Sequence, residues 1–349
     1  MIMSKRIKKP LTTSNLKVGV LFNQPAKPSR GEEIDYLAEA EVKEQAEAVQ
    51  DALRMLGFGC RMFPLGDDIG ALVKELESHR PHVVVNLCEG AFGDSHQEMN
   101  VPSLLELLRI PYTGSSPLAL GICQNKGLAK DILRANGIPT PDYKVLRDFD
   151  DWKAEMDFPL FVKPLREDAS IGISSKSYVT TEAELKGQVE YIHAQYRQPA
   201  LVEEYIDGRE LNVSILGNES PKVLPISEIL FDFDEEPKIV GYSAKWFKET
   251  EEYKKTNPVC PAVLEEAVKN RVERVALDAY LAVCCRDYAR VDMRMKDDLP
   301  FVLEVNPNPD ISHEAGFDRS LRAAGIPYEE FIRQIVFFAL ERVQWKKLA

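Results

Sequence analysis

The chain has 349 residues, with 44 Lys and Arg against 56 Asp and Glu, which gives a formal net charge of −12 with His neutral. Its 44% hydrophobic and 29% charged residues are ordinary for a globular chain of two or three domains. The acidic balance argues against a general nucleic-acid binder, and the longest apolar run, residues 279–285, is too short to span a bilayer. Six cysteines without a CxxC pair, and an N-terminus without an apolar signal-peptide core, predict reduced thiols in a cytoplasmic protein.

The first half of the chain begins with a basic arm and continues as an alternation of strands and helices. Four basic residues among the first nine predict a solvated arm over residues 1–16, with phosphate or lipid binding as the alternative. Apolar runs and amphipathic segments then alternate, which predicts a parallel sheet with helices on both faces in an N-terminal α/β domain, residues 17–120. The predicted strands are 18–22, 58–63 and 82–87, and the predicted helices are 34–56 and 68–79.

The pattern in the second half of the chain predicts two smaller units of mixed α and β structure. A helix over residues 118–135 leads to a proline-rich segment that is typical of a domain boundary. The predicted units are a linker helix with a central subdomain, 121–217, and a C-terminal subdomain, 218–349. The polar segment 232–258 is long for a loop and predicts a mobile lid, with a plain surface insertion as the alternative. The predicted strands are 160–163, 173–179, 200–205, 210–216, 222–229, 288–295 and 301–305, and the predicted helices are 182–196, 261–284 and 328–343.

Two polar motifs lie on neighbouring predicted strands. Arg290 and Asp292 stand two apart on one strand, and Glu304 and Asn306 stand two apart on the next. Residues two apart project from the same face of a strand, so we expect the four side chains to meet. Three oxygen donors in one place are typical of Mg²⁺, with Mn²⁺ as an alternative. A strand pair with a polar outer face would show the same spacing, but the apolar residues in between predict burial, and buried carboxylates need a cation.

Two other segments indicate nucleotide chemistry more weakly. Lys163 closes an apolar strand, where it can place one charge on a phosphate, although a strand-end lysine more often points to water. The loop 166–174 offers small residues whose backbone N–H groups could cover phosphates, but it matches neither G-x-G-x-x-G nor the Walker A pattern. The segment 201–210 joins two strands through Gly208, and a nucleotide-binding hinge or an ordinary hairpin would each explain that glycine.

Taken in chain order, these motifs resemble the ATP-grasp superfamily and, within it, the D-alanine–D-alanine ligase family. The resemblance extends over nearly all of residues 17–343. It implies α/β and α+β structure in three domains: an N-terminal parallel α/β domain, a small central α+β domain that binds ATP, and a C-terminal α+β domain with the metal-binding strands. It also implies small-molecule substrates, neither nucleic acid nor membrane as partner, and a homodimer as a family-level expectation.

The resemblance assigns roles to individual residues. Lys126, Lys163 and Lys245 match lysines that contact ATP phosphates, and loop 166–174, called the phosphate loop below, matches the family's loop of that function. Residues 203–206 match the adenine hinge, and Glu210 matches the ribose-binding glutamate. The implied ATP-binding set is Lys126, Lys163, Ser170, Glu203, Tyr205, Ile206, Glu210 and Lys245; the implied metal ligands are Asp292, Glu304 and Asn306; and the implied catalytic residues are Arg290 and Lys245.

The implied reaction is the ATP-dependent joining of a carboxylate to an amine. ATP phosphorylates the carboxylate to an acylphosphate, the amine attacks, and an amide forms as phosphate leaves. The residues suit this chemistry because phosphoryl transfer depends mainly on positioning and charge neutralisation, which lysines and metal ligands supply. Arg290 would stabilise negative charge on the acylphosphate and on the tetrahedral intermediate.

The sequence departs from the family pattern where the family binds its substrates. The family's glycine-rich turn with a substrate-binding glutamate has no clear equivalent at residues 22–25, and its His-Gly segment reads Glu89-Gly90. Ala169 replaces a serine of the phosphate loop, and Trp246 replaces the tyrosine of the mobile loop. The Pro-Gly-Met-Thr motif reads Pro-Asp-Ile-Ser at residues 309–312. The candidate substrate residues are therefore Glu89, Trp246, Asp310 and Ser312.

Intact nucleotide and metal motifs beside altered substrate motifs predict a ligase for small amino-acid-like substrates other than two D-alanines. Asp310 is expected to bind an amino group of a substrate, and a cap of the following turn is the alternative. A true D-alanine–D-alanine ligase and a non-catalytic nucleotide-binding protein on the same fold remain the alternative functions.

Overall fold

The structure is a computed structural model that describes residues 16–24, 31, 36–233, 237–242, 247 and 249–345. The expected basic arm lies, apart from Leu16, outside these residues. No helix in the described part of the chain is long and apolar enough to cross a membrane. The strands are β1 (Lys17–Asn23), β2 (Gly59–Leu65), β3 (Val83–Asn86), β4 (Tyr143–Leu146), β5 (Leu160–Pro164), β6 (Tyr178–Val179), β7 (Ala200–Glu204), β8 (Arg209–Leu216), β9 (Lys222–Val223), β10 (Ser227–Phe231), β11 (Thr256–Val259), β12 (Tyr288–Lys296) and β13 (Leu299–Asn306). The helices are α1 (Tyr36–Met55), α2 (Ile69–His79), α3 (Asn100–Leu107), α4 (Pro117–Gln124), α5 (Lys126–Ala135), α6 (Glu182–Tyr196), α7 (Glu251–Lys254), α8 (Glu266–Ala282), α9 (Gly316–Ala323) and α10 (Tyr328–Trp345).

The first three strands form a parallel sheet in the order β2-β1-β3. Successive strand residues point to opposite faces, so β1 contributes to two apolar cores. Val18 and Val20 pack in the core that includes residues of α1 and α10, whereas Leu21 packs with Leu72 and Leu76 of α2. The predicted parallel sheet with helices on both faces is therefore confirmed.

The second sheet is antiparallel, in the order β4-β7-β5-β6. One of its faces packs against α6, because Val162 of β5 and Val202 of β7 share a core with Ile192 of that helix. This packing holds β5 and β7 side by side with Lys163 facing Leu201 in the register. The neighbouring strands thus carry Lys163 and Glu203 to one place.

The strand predicted over residues 173–179 is wrong, because only its end, β6, pairs with β5. Ala169 and Ser170 have φ values of 53° and 62°, in the left-handed region. Ser174 then caps a short 3-10 turn. The phosphate loop therefore reverses its direction before β6. The pattern of apolar residues in the sequence does not indicate this reversal.

The third sheet has the order β11-β10-β8-β12-β13, with β9 beside β8, and its pairs are antiparallel. Helix α8 packs on it, with Val272 in the same core as Val291 of β12. The strand predicted over residues 222–229 is two strands, β9 and β10. Strand β8 lies in this sheet, although it precedes the predicted boundary at residue 218. The predicted domain limits stay predictions.

The helix predicted over residues 118–135 is two helices that separate at Asn125. The side chain of Asn125 accepts a hydrogen bond from the Leu128 N–H at 3.2 Å and so caps α5. Asparagine side chains compete in this way with helical hydrogen bonds. The break makes Lys126 the first residue of α5, and its backbone N–H donates to the Leu165 carbonyl at 3.2 Å. Lys126 is thereby placed beside the phosphate loop.

A buried carboxylate joins the first and third sheets. Asp287, directly before β12, is 0% exposed. It accepts hydrogen bonds from the Gly114 N–H at 2.8 Å and from the Asn218 Nδ2 at 3.0 Å, and it forms an ion pair with Arg342 of α10. Burial raises the pKa of Asp287, although Arg342 and these hydrogen bonds oppose that rise. The segment between α3 and α4, the start of β12 and the last helix therefore meet at one residue.

Candidate active site

A cavity of about 930 Å³ lies between the second and third sheets. Side chains of both sheets and of the loops that follow them line it. The predicted site residues that line it are Lys163, Ser170, Glu203, Tyr205, Ile206, Glu210, Arg290, Asp292, Glu304, Asn306, Asp310 and Ser312.

The structure brings together the four polar residues of β12 and β13. Arg290 lies opposite Asn306 in the register, and Asp292 lies opposite Glu304, so the two-residue spacing places all four on one face. Asp292 accepts hydrogen bonds from Arg290 Nε and Nη2 at 2.7 and 2.8 Å. It also accepts from Asn212 Nδ2 at 2.7 Å and from Asn306 Nδ2 at 2.8 Å. The carboxylate of Asp292 is thus fixed in orientation.

Glu304 is surrounded by cations. Burial alone would raise its pKa, but Lys126, Lys163 and Arg290 outweigh burial and lower the pKa of Glu304 to about 2. The Nζ of Lys126 lies 3.6 Å from its Oε2. Glu304 is therefore ionised at neutral pH, which is the state that a metal ligand needs.

The oxygen donors on this face suit a hard cation that is also coordinated by a substrate. Asp292, Glu304 and Asn306 offer two carboxylates and one amide oxygen. Within the described ranges, no three His, Cys, Asp or Glu side chains are grouped so that they could hold a metal. Mg²⁺ usually takes one or two carboxylates together with substrate phosphates, so two carboxylates beside a phosphate loop suit this ion.

Lys126 is held against the phosphate loop. Its side chain is 3% exposed, and its Nζ donates to Asp168 Oδ1 at 2.8 Å and to the Glu167 carbonyl at 2.5 Å. Burial alone would lower the pKa of Lys126, but Asp168 and Glu304 outweigh burial and raise it. The residue therefore presents a permanent positive charge where the loop begins.

Lys130, Glu203 and Lys163 form a buried group of three charges. Glu203 lies between the two lysines, with its Oε2 2.8 Å from Lys130 Nζ and its Oε1 2.7 Å from Lys163 Nζ. Burial would raise the pKa of Glu203, but the two ammonium groups lower it. Lys130 also donates to Thr140 Oγ1 at 2.7 Å, and that hydroxyl donates to the Val302 carbonyl of β13 at 2.7 Å. The second sheet is thereby tied to the third.

The segment predicted to bind the adenine and the ribose includes the end of β7, the connection after it and the start of β8. Glu210 accepts a hydrogen bond from Arg294 Nη2 at 2.8 Å, and the guanidinium lies 5.5 Å from the ring centre of Tyr205. Burial raises the pKa of Glu210, which Arg294 opposes. A Cβ on Gly208 would stand 2.0 Å from the Met295 carbonyl oxygen, so only glycine lets this connection approach β12.

The described part of segment 232–258 packs on the phosphate loop. Ser170 Oγ donates to the Val240 carbonyl at 3.0 Å, and the Tyr242 N–H donates to the Ile173 carbonyl at 3.0 Å. Val240 also lines the cavity. The segment therefore covers the loop, as a lid would. Lys245 and Trp246 lie outside the described residues.

The candidate substrate residues differ in their surroundings. Asp310 Oδ1 accepts hydrogen bonds from the Ser312 N–H at 2.8 Å, from Ser312 Oγ at 2.7 Å and from Gln45 Nε2 at 3.0 Å. This oxygen caps the turn, which is the alternative that the sequence leaves open. Glu89 is exposed and does not belong to the lining of the cavity, and its backbone N–H donates to Asn23 Oδ1 at 2.9 Å.

Lys130, Arg294 and Arg319 lie in the site region but carry no predicted role. Lys130 stands four residues after Lys126, a spacing that places both on one face of α5 and could have indicated it. Arg294 continues the alternation of Arg290 and Asp292 along β12, which is a comparable signal. Arg319 of α9 also lines the cavity, and no motif indicates it.

Comparison with known proteins identifies the family. The family description "D-ala D-ala ligase C-terminus" matches residues 132–337. A protein of Sinorhizobium fredii, named as uncharacterized protein y4sG, is 37% identical over 261 residues, 74% of this chain and 75% of its own. The D-alanine–D-alanine ligase of Pelotomaculum thermopropionicum is 30% identical over 339 residues, 93% of this chain and 97% of its own.

Solved structures agree with this match. The D-alanine–D-alanine ligase of Bacillus anthracis, in a crystal structure complexed with ATP, has a TM-score of 0.74 and 27% sequence identity, with 95% of this chain and 99% of that chain covered. The fold and the site thus define an ATP-grasp enzyme, an ATP-dependent ligase that forms carbon–nitrogen bonds. The chain belongs to the D-alanine–D-alanine ligase family.

Proposed function

We propose that this chain binds ATP with Mg²⁺ in the cavity between the second and third sheets and joins a carboxylate to an amine through an acylphosphate. The substrate pair is one other than two D-alanines. The observation that carries the proposal is that Lys163 of one sheet and Arg290, Glu304 and Asn306 of the other line a single cavity. Cations and oxygen donors on opposite walls suit a triphosphate that lies between them.

The nucleotide set divides into three parts. Lys163 and Ser170, which line the cavity, bind the phosphates together with the phosphate loop and with Lys126, which is held against that loop. They supply two fixed ammonium groups and a hydroxyl. Tyr205 and Ile206 offer the adenine an apolar and aromatic wall. Residues Glu203 and Glu210 complete the set, the first by holding Lys163 and the second by accepting from the ribose.

Asp292, Glu304 and Asn306 would hold the magnesium ion, which when bound supplies charge neutralisation between the triphosphate oxygens. Arg290 lies next to this set. Burial would lower the pKa of Arg290, but Asp292 and Glu304 outweigh burial and raise it, so the guanidinium stays charged. Arg290 therefore stabilises the negative oxygen that develops when the carboxylate is phosphorylated and again when the amine attacks.

Segment 232–258 acts as the lid of the site. Its described residues already contact Ser170 and Ile173 of the phosphate loop. Closure would bring Lys245 to the phosphates and would exclude water from the acylphosphate, which would otherwise hydrolyse. Trp246 would then lie over the substrates.

The substrate proposal depends on Asp310. Its Oδ1 caps the turn to Ser312, and the residue also lines the cavity, so its carboxylate adds negative charge to the substrate region. A carboxylate beside the developing oxyanion would oppose the reaction of alanine in a low-dielectric pocket. It favours instead a substrate that is larger or differently charged than alanine, with an ammonium group beyond alanine's α-ammonium that lies against Asp310.

The test is a screen of amino-acid pairs for ATP-dependent phosphate release, with mass spectrometry of the products. We expect an amide from a pair that excludes two D-alanines, and a loss of about tenfold or more in kcat/KM for that pair in Asp310→Asn. Robust formation of D-alanyl-D-alanine at millimolar substrate, undiminished in Asp310→Asn, would contradict the substrate proposal. ATP binding without phosphate release for any pair would instead favour a non-catalytic nucleotide-binding protein.

A further inference from the structure

One face of β12 carries a row of three charged residues along the cavity. Arg290, Asp292 and Arg294 stand two apart on this strand, and residues two apart project from the same face. Val291 and Met293, which lie between them, are buried in the core on the opposite face. All three charged residues line the cavity. The row therefore runs from Arg290, past the carboxylate proposed to hold magnesium, to a second guanidinium at Arg294.

The guanidinium of Arg294 is held by acceptors on several segments. Its side chain is 5% exposed. Its Nη1 donates to the Ile206 and Gly208 carbonyls at 3.4 and 3.3 Å, both in the connection between β7 and β8. Its Nη2 donates to Glu210 Oε2 at 2.8 Å and to the Lys238 carbonyl of the lid. The guanidinium is thus fixed in place, and it can fix the orientation of a partner.

The charged partner of Arg294 is the carboxylate of Glu210. The two residues lie opposite each other in the register of β8 and β12. Glu210 is 14% exposed and lines the cavity. Its Oε2 is held by Arg294, whereas no donor in the part of the chain that the structure describes forms a hydrogen bond with its Oε1. One oxygen of the carboxylate is therefore fixed, and the other is left for a ligand.

Two other carboxylates of the site act on Glu210. Those of Asp292 and Glu304 repel it, and Arg294 is the cation that most strongly opposes this repulsion. Without the guanidinium, the carboxylate of Glu210 would turn away from its two neighbours and lose its orientation. The pair of Arg294 and Glu210 thus determines where an acceptor stands at this end of the cavity.

We infer that Arg294 is a positioning residue for the nucleotide: it holds the carboxylate of Glu210 so that Oε1 accepts a hydrogen bond from a ribose hydroxyl. The inference rests on the proposed function, which places the adenine against Tyr205 and Ile206. The ribose is bonded directly to the adenine, so its hydroxyls lie beside that wall. The nucleotide then extends along β12, with its ribose near Arg294 and its phosphates near the metal ligands. A fixed acceptor distinguishes ribose from deoxyribose, because a deoxy form lacks the hydroxyl that the acceptor binds.

The experiment measures the binding of ADP, 2′-deoxyADP and 3′-deoxyADP, each with Mg²⁺, to the full chain by calorimetric titration. These ligands require neither the substrates nor turnover. We expect the wild type to bind ADP more tightly than at least one deoxy form by about tenfold or more, as for a hydrogen bond to a charged group. Arg294→Met should reduce this ratio of Kd values to about threefold or less. Equal binding of the three nucleotides by the wild type would overturn the inference.

Two further variants show whether Arg294 acts through Glu210. Glu210→Gln should lose the same ratio, and adding Arg294→Met to it should change the ratio no further. A ratio that Glu210→Gln leaves intact would overturn the inference. Arg294→Lys keeps the charge but not the planar fork, so its ratio should lie between those of the wild type and Arg294→Met. If Arg294→Met does not fold, Arg294→Lys provides the test, and a wild-type ratio in it would overturn the inference.

Arg209→Gln is the matched control for a general loss of structure. Arg209 precedes Glu210 on β8, so it projects from the opposite face. It pairs with Glu228 at 2.7 Å and does not belong to the cavity lining. The variant should lower stability in urea and leave the ratio of Kd values within about threefold of the wild-type ratio. If Arg294→Met behaves in the same way, with all three nucleotides weakened equally, its role is structural and the inference is overturned.

Failure of this inference and failure of the proposed function give different results. Ribose discrimination that depends on Arg294, without an amide product from any substrate pair, would support the inference and contradict the ligase proposal. Equal binding of ADP and its deoxy forms, with an amide product from some substrate pair, would contradict the inference alone.

Discussion

Lys130, Glu203 and Lys163 carry two positive charges and one negative charge in a place where each side chain is at most 5% exposed. Because positive charges outnumber negative ones in this group, substitution of a lysine and substitution of the glutamate should have different effects on stability. Lys130→Met leaves a neutral pair, whereas Glu203→Gln leaves two buried ammonium groups without an anion. Breaking a buried ion pair on one side typically costs about 3–5 kcal/mol. We expect Glu203→Gln to lower the free energy of unfolding at pH 7 by about that amount, and Lys130→Met to lower it by less than about 2 kcal/mol.

The pH dependence of stability gives a second test of the same group. Burial, with a contribution from the charge of Lys163, lowers the pKa of Lys130 from its usual 10.5 to about 8, against the opposing effect of Glu203. Between these two pKa values the unfolded chain binds more protons at this residue, so its contribution to stability rises with pH. From pH 8 to 9.5 the rise amounts to about 1.5 kcal/mol. The free-energy difference between wild type and Lys130→Met should therefore increase by about that amount.

Urea unfolding at pH 7, 8 and 9.5 measures these differences. Lys186→Met is the matched control, because Lys186 of α6 is 55% exposed and lies 3.8 Å from Glu190. Exposed pairs of this kind contribute little, so the control should change stability by less than about 0.5 kcal/mol at each pH. A loss of unfolding free energy in Glu203→Gln no greater than that in Lys130→Met would contradict this account of the three charges. A Lys130→Met difference that is the same at pH 8 and 9.5 would contradict it as well.

Two other predictions concern the reaction. Lys163→Ala and Glu304→Ala should each lower the rate of ATP-dependent amide formation by about 10²–10³, because each removes a charge that acts on the phosphates. Both should unfold cooperatively, since Lys163→Ala leaves the Glu203–Lys130 pair and Glu304→Ala leaves Lys126 with Asp168. Near-wild-type turnover of Glu304→Ala would contradict the metal assignment. ATP analogue with Mg²⁺ should protect segment 232–258 from limited proteolysis, and equal cleavage with and without nucleotide would contradict the lid.

Structure is predicted most accurately from the sequence where a single periodicity of polar and apolar side chains determines it. In β12 and β13, polar residues alternate with apolar ones, so a register of two antiparallel strands is sufficient to bring Arg290, Asp292, Glu304 and Asn306 together. The alternation of strands and helices before residue 120 likewise leaves a parallel sheet as the natural arrangement. Both predictions depend on a pattern of buried residues that extends over several positions, and such a pattern is strong evidence for the structure.

Structure is predicted less accurately where a single hydrogen bond, or a partner distant in sequence, determines the local arrangement. The cap at Asn125 divides a continuous amphipathic segment, and a cap of this kind is worth only about 1 kcal/mol. The burial of Lys130 on α5 depends on Glu203 of β7, which is distant in sequence and approaches only after the chain has folded.

The contact between Asp287 and Arg342 bears on how the protein should be cut for expression. The family match ends at residue 337, whereas Arg342 lies in the last turns of α10 beyond that limit. A fragment that stopped at the end of the match would keep the fully buried carboxylate of Asp287 and discard the guanidinium that faces it. The same cut would shorten the helix whose Phe331 and Ile335 fill the core beneath β1. Fragments for crystallisation should therefore extend through Trp345, and an affinity tag belongs after that residue.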